Sequence, residues 1–183
     1  MNKKLIAAAV GGFITAGIFA AIPPPQAGAK NNTLTAAATP AKEPAAPKSL
    51  EFDGVKIKKT DKEWQEQLTP DEYKVLRQEF TEQAYTGALT KNHEHGTYYC
   101  AACGLALFRS SVKFESGTGW PSFYEPIFKK NVIEEEDRSL SDVRTKVACA
   151  RCHSHIGHVF DDGPRPTGLR YCMNSIALKF KAD

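Results

Sequence analysis

Cys100-Ala101-Ala102-Cys103-Gly104 and Cys149-Ala150-Arg151-Cys152-His153 are two Cys-x-x-Cys turns with 45 residues between them. How they are read decides the fold. Each can present two thiolates to one ion, and four thiolates close a tetrahedral site that suits structural zinc and leaves no position open for catalysis. The long gap means that such a site would staple two distant hairpins, and a domain with long loops gains stability from the clamp. Other readings compete. Each pair can be a disulfide or a redox dithiol, although redox motifs of this spacing usually open a helix after a strand and neither context is evident here. The second turn has the spacing of a c-type haem attachment through Cys149 and Cys152, with His153 as an axial ligand, but that leaves Cys100 and Cys103 unexplained. An iron–sulfur cluster also takes four cysteines, and exposure to oxidants makes it less attractive. One structural Zn2+ per chain on Cys100, Cys103, Cys149 and Cys152 is the expectation.

Working outward from the two turns, the chain after Tyr99 is made of short runs rich in Val, Phe, Tyr and Ile, broken by Gly, Pro and Ser. That texture predicts antiparallel sheet with long loops. Candidate strands are Thr97–Cys100, Val112–Phe114, Asn131–Glu135, Ser141–Ala148, Ile156–Phe160 and Arg170–Phe180. In the last, alternation puts Cys172 and Asn174 on one face. Two short helices precede the sheets. Thr60 and Glu63 have capping-box spacing ahead of Trp64 and Leu68, and Thr69, Pro70 and Glu72 start a second helix with Tyr73, Leu76 and Phe80 on one stripe. The fold class is therefore mainly β with short N-terminal helices, its antiparallel sheets clamped by a four-cysteine zinc site.

Residues 1–29 carry Lys3 and Lys4, an uncharged run from Leu5 to Ile22, then Pro23–Pro25 and Ala27-Gly28-Ala29. This is the layout of a signal peptide for secretion. The run is 18 residues long, just enough to span a bilayer, so an uncleaved anchor with membrane attachment through residues 5–22 stays open. Either way an exported domain is expected, periplasmic or in the cell envelope of a bacterium. Residues 30–55 are rich in Ala, Pro and Lys and read as a flexible linker, with the folded domain at 56–183. The 24 basic residues fall to 22 without Lys3 and Lys4, against 21 acidic ones, so no nucleic acid or other polyanion is implied as a partner.

Five cysteines are an odd number, and the two pairs leave Cys172 alone, in Arg170-Tyr171-Cys172-Met173-Asn174-Ser175. A guanidinium two residues away favours thiolate over thiol. Taken with Gly117-Thr118-Gly119-Trp120-Pro121-Ser122-Phe123, with His155-Ile156-Gly157-His158-Val159-Phe160-Asp161-Asp162-Gly163-Pro164 and with both cysteine turns, this segment resembles the methionine-R-sulfoxide reductase family. The likeness runs from about Trp64 to Phe180 and includes Leu68-Thr69-Pro70, Tyr73, Phe108, Phe114 and Arg144. It implies a β-tent (Mss4-like) architecture and reduction of the R epimer of methionine sulfoxide in oxidised protein substrates, a repair activity under oxidative stress. By the same likeness Cys172 attacks the sulfoxide sulfur and becomes a sulfenic acid. His155 and His158 stabilise or protonate the sulfoxide oxygen, Asn174 supports that polar side, and Trp120, Phe160 and Arg170 bind substrate.

Many members of the family carry a second cysteine where Thr118 stands here. Threonine cannot attack a sulfenic acid, so the resemblance implies an external thiol reductant, a small thiol or a thioredoxin-like or glutaredoxin-like partner. Lys146, where an acidic residue is common, and Phe80 are two further departures. A monomer is expected. The rival functions are a non-catalytic zinc-stabilised binding module and a c-type haem electron carrier.

Overall fold

A computed structural model describes residues 46–183 apart from Ser141. The expected signal peptide or anchor at 1–29 and most of the expected linker lie outside the described residues. Both helices begin where the capping chemistry requires. In α1 (Asp61–Gln67) and α2 (Pro70–Gln78), Thr60 and Thr69 accept from the backbone N–H groups of Glu63 and Glu72, and each glutamate carboxylate accepts from the N–H of its threonine. Trp64, Val75 and Leu76 are the buried residues of these helices. The predicted helical stripe through Phe80 needs correction. Helix α2 stops at Gln78 because Glu79 turns left-handed at φ 61°, and Phe80 emerges 58% exposed.

Among the described residues nine strands follow: β1 (Gly96–Cys100), β2 (Ala106–Arg109), β3 (Lys113–Phe114), β4 (Ser122–Phe123), β5 (Val132–Asp137), β6 (Arg144–Cys149), β7 (His155–Phe160), β8 (Arg170–Met173) and β9 (Leu178–Ala182). They form two antiparallel sheets, one of order β2-β1-β9 and one of order β3-β4-β8-β7-β6-β5. The strand expected over Arg170–Phe180 is in fact two. Its chain leaves the six-stranded sheet after Met173, makes a 3-10 turn at Ser175–Ala177 and enters the three-stranded sheet as β9. Strands β2 and β4 were not foreseen, since four residues and two residues show too little alternation to read.

Aromatic rings weld the two sheets. Phe108 of β2 stacks on Phe123 of β4 with centroids 4.4 Å apart, and Tyr98 of β1 meets Phe123 edge-on at 5.0 Å. All three rings are fully buried. Asn131 serves as a polar rivet. Its Oδ1 accepts from the Phe52 N–H at 2.8 Å, and its Nδ2 donates to the carbonyls of Leu50 (2.8 Å) and Ala106 (2.7 Å). Leu50 and Phe52, which composition places in the linker, are thereby tied to the folded domain.

Replacing Asn131 by Ala leaves three backbone groups without this partner, the buried Ala106 carbonyl at a cost of about 1–3 kcal/mol and the part-buried Leu50 and Phe52 groups at less. Urea titration of the variant should show a loss of about 3 kcal/mol, with an unchanged denaturant slope.

Candidate active site and metal centre

The two cysteine turns are the hairpin connections β1–β2 and β6–β7, one from each sheet. They have the same backbone. The N–H of Gly104 donates to the carbonyl of Cys100 at 2.8 Å, and that of His153 to the carbonyl of Cys149 at 2.9 Å. The residue after each second cysteine is left-handed, Gly104 at φ 72° and His153 at φ 57°. Glycine takes that conformation freely, and His153 takes it with an exposed ring held by Glu135 at 2.9 Å.

Four sulfurs converge from these turns, all within 4.8 Å of one another. Cys100 to Cys152 is 3.7 Å and Cys103 to Cys149 is 3.5 Å, both between turns. Bonded sulfurs lie about 2.05 Å apart, so these are not disulfides. An ideal ZnS4 tetrahedron with bonds of about 2.3 Å has edges of roughly 3.8 Å, and the observed spacing fits it. The set also uses all four cysteines together, where a haem on Cys149 and Cys152 leaves two idle. Hydrogen bonding among the sulfurs, with burial added, holds the Cys100 thiol well above the ordinary thiol range. A divalent cation is what allows such a group to ionise.

Cys172 lies elsewhere, in the middle of β8, opposite Ser122 of β4 on one side and His158 of β7 on the other. It lines a cavity of about 110 Å³ together with Thr81, Trp120, Arg144, Gly157, His158, Phe160 and Asn174. Of the residues singled out in the sequence, Cys172, His158, Asn174, Trp120 and Phe160 thus meet at one cavity. His155 and Arg170 stand behind it.

The thiol is half-buried, and burial is the largest influence on it, pushing its pKa up. Thr118, Arg170 and Ser122 pull the other way without reversing the shift. Sequence reasoning weighed the guanidinium alone, and the structure adds the larger opposing effect of desolvation. Thr118 Oγ1 is 3.8 Å from the sulfur and 2.8 Å from Ser116 Oγ, which is 2.7 Å from Ser122 Oγ, so a short chain of hydroxyls reaches Cys172. Arg170 is engaged twice over. It makes two bonds of 2.8 Å to the Asp162 carboxylate and lies 4.3 Å over the Phe160 ring, fixing that wall of the cavity.

On the polar side, His158 Nε2 is 2.8 Å from the Asp137 carboxylate, whose same oxygen accepts from Arg144 at 2.6 Å. A carboxylate only accepts, so Nε2 carries the proton and Nδ1 is a lone-pair site while the ring is neutral. Burial lowers the His158 pKa, and the Asp137 contact opposes the shift. His155 is 2% exposed, and burial, followed by the nearby His158, lowers its pKa to about 4. Neither of its ring nitrogens meets a hydrogen-bond partner among the described residues. The two rings are 5.2 Å apart, edge to face.

Two groups escaped the sequence reading. Asp137 was readable in principle, because the β5–β6 hairpin sets it opposite Arg144. Glu82 was not, since it sits in an irregular segment. Its N–H donates to Asn174 Oδ1 at 3.0 Å, its carbonyl accepts from Trp120 Nε1 at 3.1 Å, and its carboxylate accepts from the N–H groups of Ser175 (2.6 Å) and Ile176 (3.0 Å). One residue thereby positions both the amide and the indole of the cavity.

The chain is similar to known proteins. The SelR domain model matches residues 68–182. A peptide methionine sulfoxide reductase MsrB from Leptospira interrogans is 54% identical over 127 residues, 69% of this chain and 97% of that protein. Proteins of the same name from Thiobacillus denitrificans (55% over 122 residues, 67% and 92%) and Acinetobacter baumannii (51% over 128 residues, 70% and 92%) are also similar.

Two measurements follow from the sulfurs. Cobalt(II) added to the metal-free chain should bind once, with thiolate-to-metal absorption, and leave one of the five cysteines reactive to a disulfide reagent. The rate at which Cys172 is alkylated should rise with pH to a midpoint above that of an unperturbed thiol, and Thr118→Val should move the midpoint higher still.

Proposed function

The chain belongs to the MsrB family of peptide methionine sulfoxide reductases, oxidoreductases acting on methionine sulfoxide, and from that membership we propose that Cys172 is the nucleophile that reduces the R epimer in oxidised proteins. The observation that carries the reading is the meeting of one cysteine, an Asp-paired histidine, an amide and an indole at a single small cavity, while the other four cysteines are gathered elsewhere.

At rest the pair is neutral, for burial raises the thiol pKa and lowers that of the imidazole. His158 then acts as a proton relay. Its neutral ring takes the thiol proton as Cys172 Sγ attacks the sulfoxide sulfur, the resulting imidazolium is stabilised by Asp137, and the proton passes to the sulfoxide oxygen. The S–O bond and the new sulfur–sulfur bond then break as the hydroxyl passes to Cys172 Sγ, so the cysteine loses two electrons and becomes a sulfenic acid while the methionine departs as a thioether with two electrons gained. Trp120 and Phe160 offer the apolar wall for the S-methyl group, and Asn174, held by Glu82, faces the polar side. An apolar wall opposite a proton donor distinguishes the two epimers. His155, neutral and buried behind His158, sets the polarity around the relay.

Thr118 stands 3.8 Å from the sulfur and has no thiol to offer, which supports resolution from outside. One external thiol displaces hydroxide from the sulfenic acid, water is lost, and a second thiol reduces the mixed disulfide. Cys100, Cys103, Cys149 and Cys152 would hold one zinc ion, which contributes folding stability and no chemistry at the cavity. Export is also proposed, supported by the composition of residues 1–29, and would place repair where oxidants arrive first.

With dithiothreitol, the wild type should consume the R epimer of dabsyl-methionine sulfoxide and spare the S epimer. Cys172→Ser should have no activity, and His158→Asn should lose about 100-fold or more in kcat. One equivalent of substrate without reductant should add a single oxygen to the protein mass. Turnover of the S epimer alone, or an internal disulfide to Cys172, overturns the proposal.

A further inference from the structure

We propose that the groove across Thr81 from Cys172 is the docking surface for the polypeptide that carries the methionine sulfoxide, and that it takes apolar side chains flanking that residue. This rests on the reductase reading and goes on to name the substrate's sequence character.

The catalytic cavity, at about 110 Å³, has room for the end of one side chain and no more. The main chain of a protein substrate must lie outside it. A groove of about 790 Å³ runs from the same spot, with Thr81 lining both spaces. The two also share a wall one residue on, since Asn174 faces the cavity and Ser175 the groove. Its apolar lining comes from Val75, Phe80, Leu89, Ile176, Leu178 and Phe180.

Phe80 decides the character of the surface. The left-handed Glu79 ends α2 and throws this ring out of the helix, where it stays 58% exposed at the groove. An exposed aromatic is ordinary when isolated; here it rims a continuous apolar concavity beside a reaction centre, which is the setting of a binding surface. Glu82 fixes the floor, because its carboxylate holds the N–H groups of Ser175 and Ile176 while its backbone holds Asn174 and Trp120. A peptide lying in the groove and a sulfoxide lying in the cavity therefore meet one rigid segment. The charged residues at the groove are Asp71, Glu72, Lys74 and Glu82, three acidic against one basic, so acidic flanking residues are disfavoured by charge as well as by desolvation.

The test compares three substrates with dithiothreitol as reductant: N-acetyl-methionine-R-sulfoxide methylamide, a hexapeptide with Leu and Phe around the sulfoxide, and the same peptide with Asp and Glu there. For the wild type, kcat/KM should favour the apolar over the acidic peptide by about tenfold, the worth of one buried apolar side chain. Phe80→Asp should reduce that preference to about twofold or less while leaving the methylamide unchanged. Phe80→Leu should keep it. No preference in the wild type, or an equal loss on all three substrates in Phe80→Asp, overturns the proposal. So does a dimer in sedimentation that Phe80→Asp abolishes, since the groove then belongs to a second copy of the chain. An inactive wild type on the methylamide sinks the reductase reading itself, a different result from activity without preference.

Discussion

Four sulfurs held within 4.8 Å of one another are the constraint on which the remaining geometry depends. They belong to hairpin turns of different sheets, so closing them fixes the sheets together. Both helices are secured to the same turns. Gln67 of α1 donates to the Ala102 carbonyl at 2.6 Å, and Arg77 of α2 donates to the Cys152 carbonyl and to Ser154 Oγ at 3.2 and 3.3 Å. The reaction centre is tied in at short range. His155 begins β7 three residues after Cys152, and the Ala101 N–H donates to Ala177, three residues past Asn174. Displacing either turn moves one side of the cavity relative to the other.

Cys172 itself is a compromise between access and reactivity. A thiol open to water would ionise at its usual pH and meet every oxidant; one buried without partners would stay inert. Here the hydroxyl chain through Thr118, Ser116 and Ser122 and the Arg170 charge partly offset burial. Asp137 acts on His158 in two ways. It fixes the tautomer through Nε2 and favours the charged ring, while desolvation favours the neutral one.

Much of this was legible in the residues themselves, for reasons that differ from place to place. The Cys-x-x-Cys spacings and the two capping boxes are local chemistry, complete within four or five residues, and the structure repeats them. Cys172, Trp120, His158 and Asn174 came from motifs whose members are distant in the chain yet individually distinctive. What could not be read was tertiary. Alternation from Arg170 to Phe180 is compatible with one strand, and only the existence of two sheets explains why the chain breaks at Asn174 to change partners. Phe80 has helical spacing from Tyr73 and Leu76, but the left-handed Glu79 ends the helix before reaching it. Desolvation of Cys172 and His155 depends on what packs over them, about which spacing says nothing.

Glu82 shows how a loop can carry as much of a site as a strand. Its four hydrogen bonds go to Trp120, Asn174, Ser175 and Ile176, residues from two separate stretches of chain. None of these is a reacting atom, yet the indole wall and the amide both take their orientation from this one residue. The Asn174 amide oxygen is occupied by Glu82, and among the described residues its Nδ2 makes only a long bond of 3.4 Å to the Ile156 carbonyl. An amide has two N–H groups, so donor capacity is left over at the cavity that Asn174 lines. Fixing the oxygen forces the donor end to be the free one. On the proposed reading that choice suits a sulfoxide, whose oxygen can only accept.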